Sequence, residues 1–464
     1  MIKAVLYTHT RFFEMRRFEM TTKDAILAAI DEQAIHYVAL WFTDITGVVK
    51  SVTIPASKIG GVIDHGLHFD GSSIEAFARV AESDMVLRPD LSTFSVLPWA
   101  GEERIARMIC SVYTLQDDPF IGDPRNVLLK VLRDADDMGY TFKTGMELEF
   151  FLFQRGEHSV LAPLKPYDDA SYFDMANDGW TGIRRRMISM LIAQGITVDS
   201  AHHEIGAGQY EFDFDYDHAL VSADAVLTAR VALKTVAQQH GLHCTFMPRP
   251  DANLPGSGMH THQSLHDKHS DENVFVDAAH EYGLSETARF FLAGQLYHAR
   301  AMCAVLAPLI NSYKRLTVSF EAPKYVTWAH VNRAGAAMIR VPHIAQGNEQ
   351  HTRLEIRCPD PSSNPYLAAA VMLAAGLNGI RQRLSLSDAL EESLVARERA
   401  RQRQVEMLPS SLEEALDVLE QDDVILSALG AYVSDRYIAA KRQEVSEYNR
   451  QVTTWEIERY INRF

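Results

Sequence analysis

Cysteine is scarce in this chain: Cys110, Cys244, Cys303 and Cys358 are the four among 464 residues, and no two form a CxxC. Neither a disulfide framework nor a thiolate metal site is indicated, and a reducing cytoplasm fits. The familiar phosphate-binding glycine loops are missing too, since neither GxxxxGK[ST] nor GxGxxG occurs. No apolar run is long enough to span a bilayer, and Met1–Met20, with scattered Arg and aromatic residues, lacks the apolar core of a signal peptide. Positive charge is in deficit, with 45 Lys and Arg against 61 Asp and Glu and a formal net charge of −16. That balance disfavours polyanionic partners, both nucleic acid and membrane surfaces.

What is present suits a large buried core: 47% of the residues are hydrophobic, enough for two to three domains. Residues 1–20 read as a tail, because Thr21-Thr22-Lys23-Asp24 signals a helix N-terminus. Helical periodicity is expected over Ala25–Gln33, then strands at His36–Phe42, Val48–Ile54, Phe94–Leu97 and Ile105–Val112. A small strand-rich unit over 21–122 results, closed by Asp-Asp-Pro-Phe-Ile-Gly-Asp-Pro, which breaks periodicity. The larger remainder, 123–464, alternates helices such as Val127–Met138 and Thr181–Gln194 with strands. It closes with helices around Asn364–Gly379, Leu412–Leu419 and Tyr432–Asn462, and the run Ala396–Glu406 reads as an exposed helix face laced by i,i+4 pairs.

The chemistry is concentrated in apolar strands that carry acids. Gly145-Met146-Glu147-Leu148-Glu149-Phe150-Phe151 places two carboxylates at i and i+2, on one face of a strand. Two solvated surface glutamates are the plain alternative, but further clusters recur downstream: His202-His203-Glu204 with Glu211, and Arg353-Leu354-Glu355-Ile356-Arg357. Between them, after a glycine turn, His260 and His262 share a face. Carboxylates with at most one imidazole suit Mg²⁺ or Mn²⁺ better than zinc. Arginines beside such clusters suit phosphate or carboxylate ligands, which guanidinium binds bidentately.

These residues stand among ordered blocks that resemble type I glutamine synthetase along nearly the whole chain. The blocks are Phe69-Asp70-Gly71-Ser72-Ser73, Glu82-Ser83-Asp84-Met85, Met146-Glu147-Leu148-Glu149-Phe150, His202-His203-Glu204, Gly256-Ser257-Gly258-Met259-His260, Asn311-Ser312-Tyr313-Lys314-Arg315-Leu316, Glu321-Ala322-Pro323 and Asn364-Pro365-Tyr366-Leu367. The resemblance implies an α+β fold: a β-grasp-like N-terminal domain and a catalytic domain with a curved antiparallel sheet flanked by helices. It further implies two or more Mg²⁺ or Mn²⁺ ions per site and ATP as co-substrate, one metal held by Glu149, Glu204 and Glu211 and the other by Glu147, His260 and Glu355. Asp199, His262, Ser264, Arg340 and Arg353 would bind ATP, with Arg333 acting on the phosphates. Gly256, Arg315 and Arg357 would hold glutamate. Asp70 of a neighbouring subunit would deprotonate ammonium, Glu321 would shield the intermediate, and Ser73, Tyr172 and Glu204 would complete the ammonium pocket. A homo-oligomer, a dodecamer of two stacked hexameric rings, is implied as well.

Several positions depart from the family pattern. Pro255 replaces the usual asparagine before Gly256, removing a side-chain hydrogen-bonding group. The flap reads Thr317-Val318-Ser319-Phe320 where the family has Val-Pro-Gly-Tyr. The Arg333–Arg340 interval is longer by two residues, so that either a bulge keeps both guanidiniums in place or Arg340 is displaced. Glu391–Leu408 contains no tyrosine, which excludes the AMP modification of some bacterial members. The leading expectation is an ATP-dependent ligase making glutamine from glutamate and ammonia. The alternatives are a γ-glutamylamide synthetase using an alkyl, aryl or polyamine, favoured by Pro255 and the flap, and a catalytically silent assembly, disfavoured by intact metal ligands.

Overall fold

The computed structural model describes residues 22–72, 74, 84–155, 165–174, 178–318, 322–330, 337–390 and 405–464. The N-terminal sheet comprises β1 (Tyr37–Thr43), β2 (Val49–Pro55), β3 (Leu67–Asp70), β4 (Asp84–Pro89), β5 (Ser95–Val96) and β6 (Ile105–Tyr113). Its order is β2-β1-β6-β4-β3, with β5 also on β6 and with β1 and β6 parallel. The helix Lys23–Glu32, capped by the Thr22 side chain, buries Ile26 and Ile30 against Val38, Leu40 and Phe42 of β1 and Met108, Cys110 and Val112 of β6. Alternation along each strand supplies that apolar face. The expected strand at Phe94–Leu97 is shorter, limited to Ser95–Val96.

The second sheet is built on one long strand, β7 (Tyr140–Gln154), of 15 residues. Around it lie β8 (Val198–His203), β9 (Gln209–Phe214), β10 (Asp217–His218), β11 (Leu242–Thr245), β12 (Thr261–Asp267), β13 (Tyr325–Ala329), β14 (Ala337–Arg340) and β15 (Leu354–Ile356). The order is β13-β14-β15-β12-β7-β9-β8, with β10 and β11 also on β7. Pairing is antiparallel except between β13 and β14, so the expected antiparallel sheet is mixed at that edge. One face of β7 presents Met146, Leu148, Phe150 and Leu152 to a core shared with the helices Asp178–Ala193 and Ala219–Gln239. The opposite face carries Glu147 and Glu149, followed by the buried Phe151 and Phe153.

Two devices fasten the sheets together. Arg125, just inside the helix Pro124–Asp137, is buried and pairs with Asp90 of the N-terminal unit at 2.7 Å and Asp224 of the helix Ala219–Gln239 at 3.0 Å. Asn364 caps the helix Pro365–Gln382 through Tyr366 N, while its Nδ2 donates to Asp44 O at 3.2 Å. The chain passes so closely there that a Cβ on Gly47, which has φ +83°, would lie 3.0 Å from Asn364 Cα, and glycine alone meets both demands. Asp123 closes the linker by accepting from Val112 N and Arg125 N.

The expected helix over Tyr432–Asn462 is interrupted: Ala431–Asn449 ends, and Thr454–Tyr460 restarts behind a capping box of Thr453 and Glu456. In the Ala396–Glu406 run, residues 396–404 lie outside the described set, while Val405 and Glu406 are not helical. All four cysteines are buried thiols, with Cys303 and Cys358 bringing their sulfurs to 3.3 Å. No helix among the described residues is long and apolar enough to cross a membrane.

Candidate active site

Strand register places the polar residues on one face of the second sheet in three successive rungs. The first runs Arg340, Glu355, His262, Gly145 across β14, β15, β12 and β7. The second joins Glu147 to Asp213 and Ser200, and the third joins Glu149 to Glu211 and His202. Directly opposed residues project to the same side, and i,i+2 residues repeat on it. The β12 side is completed by His260 and Gly258, whose carbonyls accept from Glu147 N at 2.9 Å and Glu149 N at 3.3 Å.

Two ends of this face gather separate ligand sets. Glu147, His260 and Glu355 offer donor atoms within 4.8 Å of one another, as do His202, Glu204 and Glu211. A third such set, Glu147, Glu211 and Asp213, lies between them. The first set is the one expected for one metal. In the other, His202 joins Glu204 and Glu211, while Glu149 stands beside them, buried and paired in register with Glu211. The sequence places His202 in a cluster without giving it a ligand role, and Asp213 escapes notice although Glu211 and Asp213 obey the same i,i+2 spacing as Glu147 and Glu149.

Electrostatics divides the acids into neutralised and strained. Burial works against charge on Glu147, but hydrogen bonds from His260 and His262 outweigh it and hold that carboxyl well below its ordinary range. Arg353 Nε donates to His262 Nδ1 at 3.2 Å, so the proton of His262 sits on Nε2 and is donated to Glu147 Oε1 at 2.7 Å. Glu355 is neutralised by guanidiniums: Arg340 contacts Oε2, and Arg357 Nε lies 3.4 Å from Oε1. Glu149 and Glu211 are pushed well above the ordinary range, by burial first and then by neighbouring carboxylates: Glu204 acts on Glu149, and Glu149, Glu147 and Asp213 act on Glu211. Buried acids that repel each other this strongly, framed by oxygen and imidazole donors, fit hard divalent cations.

The remaining expected residues fall as follows. Arg315 reaches from the helix Ile310–Val318, its guanidinium tied to the carbonyls of Arg357, Cys358 and Pro359. A Cβ on Gly258 would lie 2.6 Å from Arg315 Nη2 and 3.1 Å from both Glu149 Oε1 and His260 Nε2, so a bare glycine lets these three groups meet. Gly256 is equally crowded, its imaginary Cβ 2.6 Å from Arg315 Cγ. Ser264, two residues past His262, bonds with Tyr216 and His266. Arg340 is not displaced from the face; it lies on β14 against Glu355. Tyr172 is half exposed and meets the His202 ring edge-on at 5.6 Å. Asp199 occupies a bulge on β8 and is exposed near Asp215. Asp70 ends β3 on the other sheet, exposed, where it accepts from Ser72 N. Ser73, Glu321 and Arg333 lie outside the described residues. Of the expected flap, Thr317 and Val318 belong to the last turn of a helix, and Ser319 and Phe320 lie outside the described residues.

The family description "Glutamine synthetase, beta-Grasp domain" matches residues 34–115, and "Glutamine synthetase, catalytic domain" matches 121–460. The protein named glutamine synthetase from Halobacterium salinarum is 45% identical over 445 residues, spanning 95% of this chain and 96% of that one. Its namesake from Thermus thermophilus is 44% identical, over 95% and 99% of the two chains. Among solved structures, "GmaS/ADP complex-Conformation 1" superposes with a TM-score of 0.84 at 31% identity, covering 96% of this chain and all of that one. "Apo GmaS without ligand" gives the same TM-score at 32% identity. With both domains matched in order and near-complete relatives above 40% identity, the chain belongs to the glutamine synthetase family.

Proposed function

We propose that this chain is an ATP-dependent carbon–nitrogen ligase that joins ammonia to the γ-carboxylate of glutamate, giving glutamine, ADP and phosphate. The observation that carries the reading is the single sheet face on which two partly buried sets of acid and imidazole ligands stand, with guanidiniums against Glu355. Glu147, His260 and Glu355 would hold one divalent ion and Glu149, Glu204 and Glu211, with His202 beside them, another. Such ions supply the positive charge that lets anionic glutamate and ATP approach.

The chain's own groups then do the following. Arg315 and Arg357 face the α-carboxylate of glutamate and fix its orientation, with the Gly256 backbone alongside. Arg340, Arg353 and Arg333 draw the ATP phosphates into line, while Asp199, His262 and Ser264 lie along the nucleotide. A γ-carboxylate oxygen attacks the terminal phosphorus and ADP departs, leaving γ-glutamyl phosphate. Ammonium enters among Ser73, Tyr172 and Glu204 and loses a proton to Asp70 of an adjacent subunit; the free amine attacks the acyl carbon and phosphate leaves. Glu321 shields the acyl phosphate from water. Asp70 on a separate sheet, exposed, suits sharing between subunits, in a dodecamer as in the resemblance, and a cytoplasmic setting accords with buried free thiols.

A second reading keeps the acyl phosphate but admits an organic amine, and Pro255 together with the altered flap sequence favours it. The higher identity of the curated glutamine synthetases supports ammonia. Phosphate release with glutamate and ATP, comparing ammonium with a panel of alkyl, aryl and polyamines, decides between them. A preference for any amine by more than about tenfold, about 1.4 kcal/mol at the transition state, overturns the ammonia assignment. No release with any acceptor leaves the silent assembly.

A further inference from the structure

Gln209 opens β9 and is almost wholly buried, yet no substrate or ion role is given to it above. Both ends of its amide are hydrogen-bonded. Nε2 donates to Glu149 Oε2 at 2.9 Å and Gly256 O at 3.1 Å, with Ser257 Oγ at 3.4 Å, and Oε1 accepts from Gly206 N at 3.1 Å. The orientation is unique, because a flipped amide would set oxygen against the carboxylate and carbonyl and N–H against N–H. Three segments meet at this side chain: β7 through Glu149, the turn that follows Glu204, and the stretch Gly256–Ser257.

We infer that Gln209 is a positioning residue that fixes Glu149 for its cation and Gly256 for glutamate at once. The inference rests on the site proposed above. Pro255 offers no side-chain donor, and its Cγ would lie 2.8 Å from a Cβ on Gly206, so the two loops touch. Their mutual placement therefore falls to the Gln209 amide. A neutral donor also suits the spot electrostatically. It holds Oε2 of Glu149 without cancelling the charge that attracts a cation, which lysine or arginine would cancel, and without the repulsion that a further glutamate would add.

The test compares Mn²⁺ binding isotherms and steady-state kinetics of the intact oligomer for wild type, Gln209→Glu and Gln209→Met. Loss of such an outer partner of a metal ligand typically costs about 10–100-fold in affinity. Gln209→Glu is expected to weaken Mn²⁺ binding and raise KM for glutamate to about that extent, with KM for ATP within about threefold. Gln209→Met, which adds no charge, shows the same pattern with a smaller Mn²⁺ effect and serves where the glutamate variant does not assemble. Unchanged Mn²⁺ affinity and glutamate KM, with only kcat or thermal stability lowered, overturns the inference, since a purely structural role predicts that outcome. Wild type that binds Mn²⁺ but makes no γ-glutamyl product overturns the proposed reaction instead, and the isotherms still decide the role of Gln209.

Discussion

Glu355 offers the sharpest test of the site. It is 2% exposed, and its two oxygens face three groups: His260 Nδ1 at 3.7 Å, Arg357 Nε at 3.4 Å, and the Arg340 guanidinium. Truncation in Glu355→Ala leaves two guanidiniums beside each other without their shared carboxylate. Breaking a buried pair costs about 3–5 kcal/mol. Arg340, with 19% of its side chain exposed, turns to water more easily than Arg357 at 10%, so the ion-free protein should lose about 3 kcal/mol, the lower end. Catalysis should suffer separately if Glu355 holds a cation as proposed: phosphate release should fall by at least about 100-fold, about 2.7 kcal/mol in transition-state terms. Glu355→Gln separates the effects, since its amide oxygen still accepts from one arginine but supplies no negative charge. It should recover roughly half the stability and none of the turnover. Urea denaturation, size-exclusion chromatography and a phosphate-release assay measure these quantities. Turnover of Glu355→Ala within about threefold of wild type, or Glu355→Gln with full activity, would refute the assignment.

Three further expectations concern pH, assembly and domain docking. Because Glu149 and Glu211 are held above 4.5 in the folded chain, the unfolded chain releases their protons first as pH rises, so ion-free stability from this pair falls as pH climbs from about 4.5 through the raised values. A dication displaces those protons, so Mn²⁺ affinity should rise toward alkaline pH by up to about tenfold per unit per proton; a pH-independent isotherm contradicts this. Co-assembling Asp70→Ala with Glu355→Ala chains should restore about a quarter of wild-type activity by random mixing if sites are shared, and none if each site is built from one chain. Asn364→Ala removes a helix cap and the bond to Asp44 O, and should lower unfolding stability by about 1–2 kcal/mol, with a change below about 0.3 kcal/mol speaking against the tie.

The acid-bearing strands were legible because period 2 in an apolar run states which side a carboxylate faces, as Glu147 and Glu149 show. The same rule applied to Glu211 points to Asp213. His202 needed more, since its place beside Glu211 depends on the register of β8 against β9 and on a bulge at Asp199 that local sequence does not encode. Gln209 was hidden for a similar reason: three of its four partners, on Glu149, Gly256 and Ser257, come from distant segments. The break after Asn449 was readable, as Thr453 and Glu456 spell a capping box inside an otherwise helical pattern. The parallel β13–β14 pair was not, because strand direction follows from how the chain crosses between them rather than from side-chain alternation. Asp70 stands in Asp-Gly-Ser-Ser, which locally spells only a turn, and the family blocks alone single it out.

The parallel pairing of β1 with β6 has a bearing on how the molecule is made. Strand β1 is synthesised early, yet its neighbour on one side is the central strand β6, which spans Ile105–Tyr113, and the turn after β1 waits for Asn364. Closing such distant loops is slow, so a nascent chain carries β1 with an open strand edge until β6 has emerged, and with an unanchored turn until Asn364 follows. Assistance on the ribosome, rather than any weakness of the finished molecule, is where production of this protein should be most sensitive.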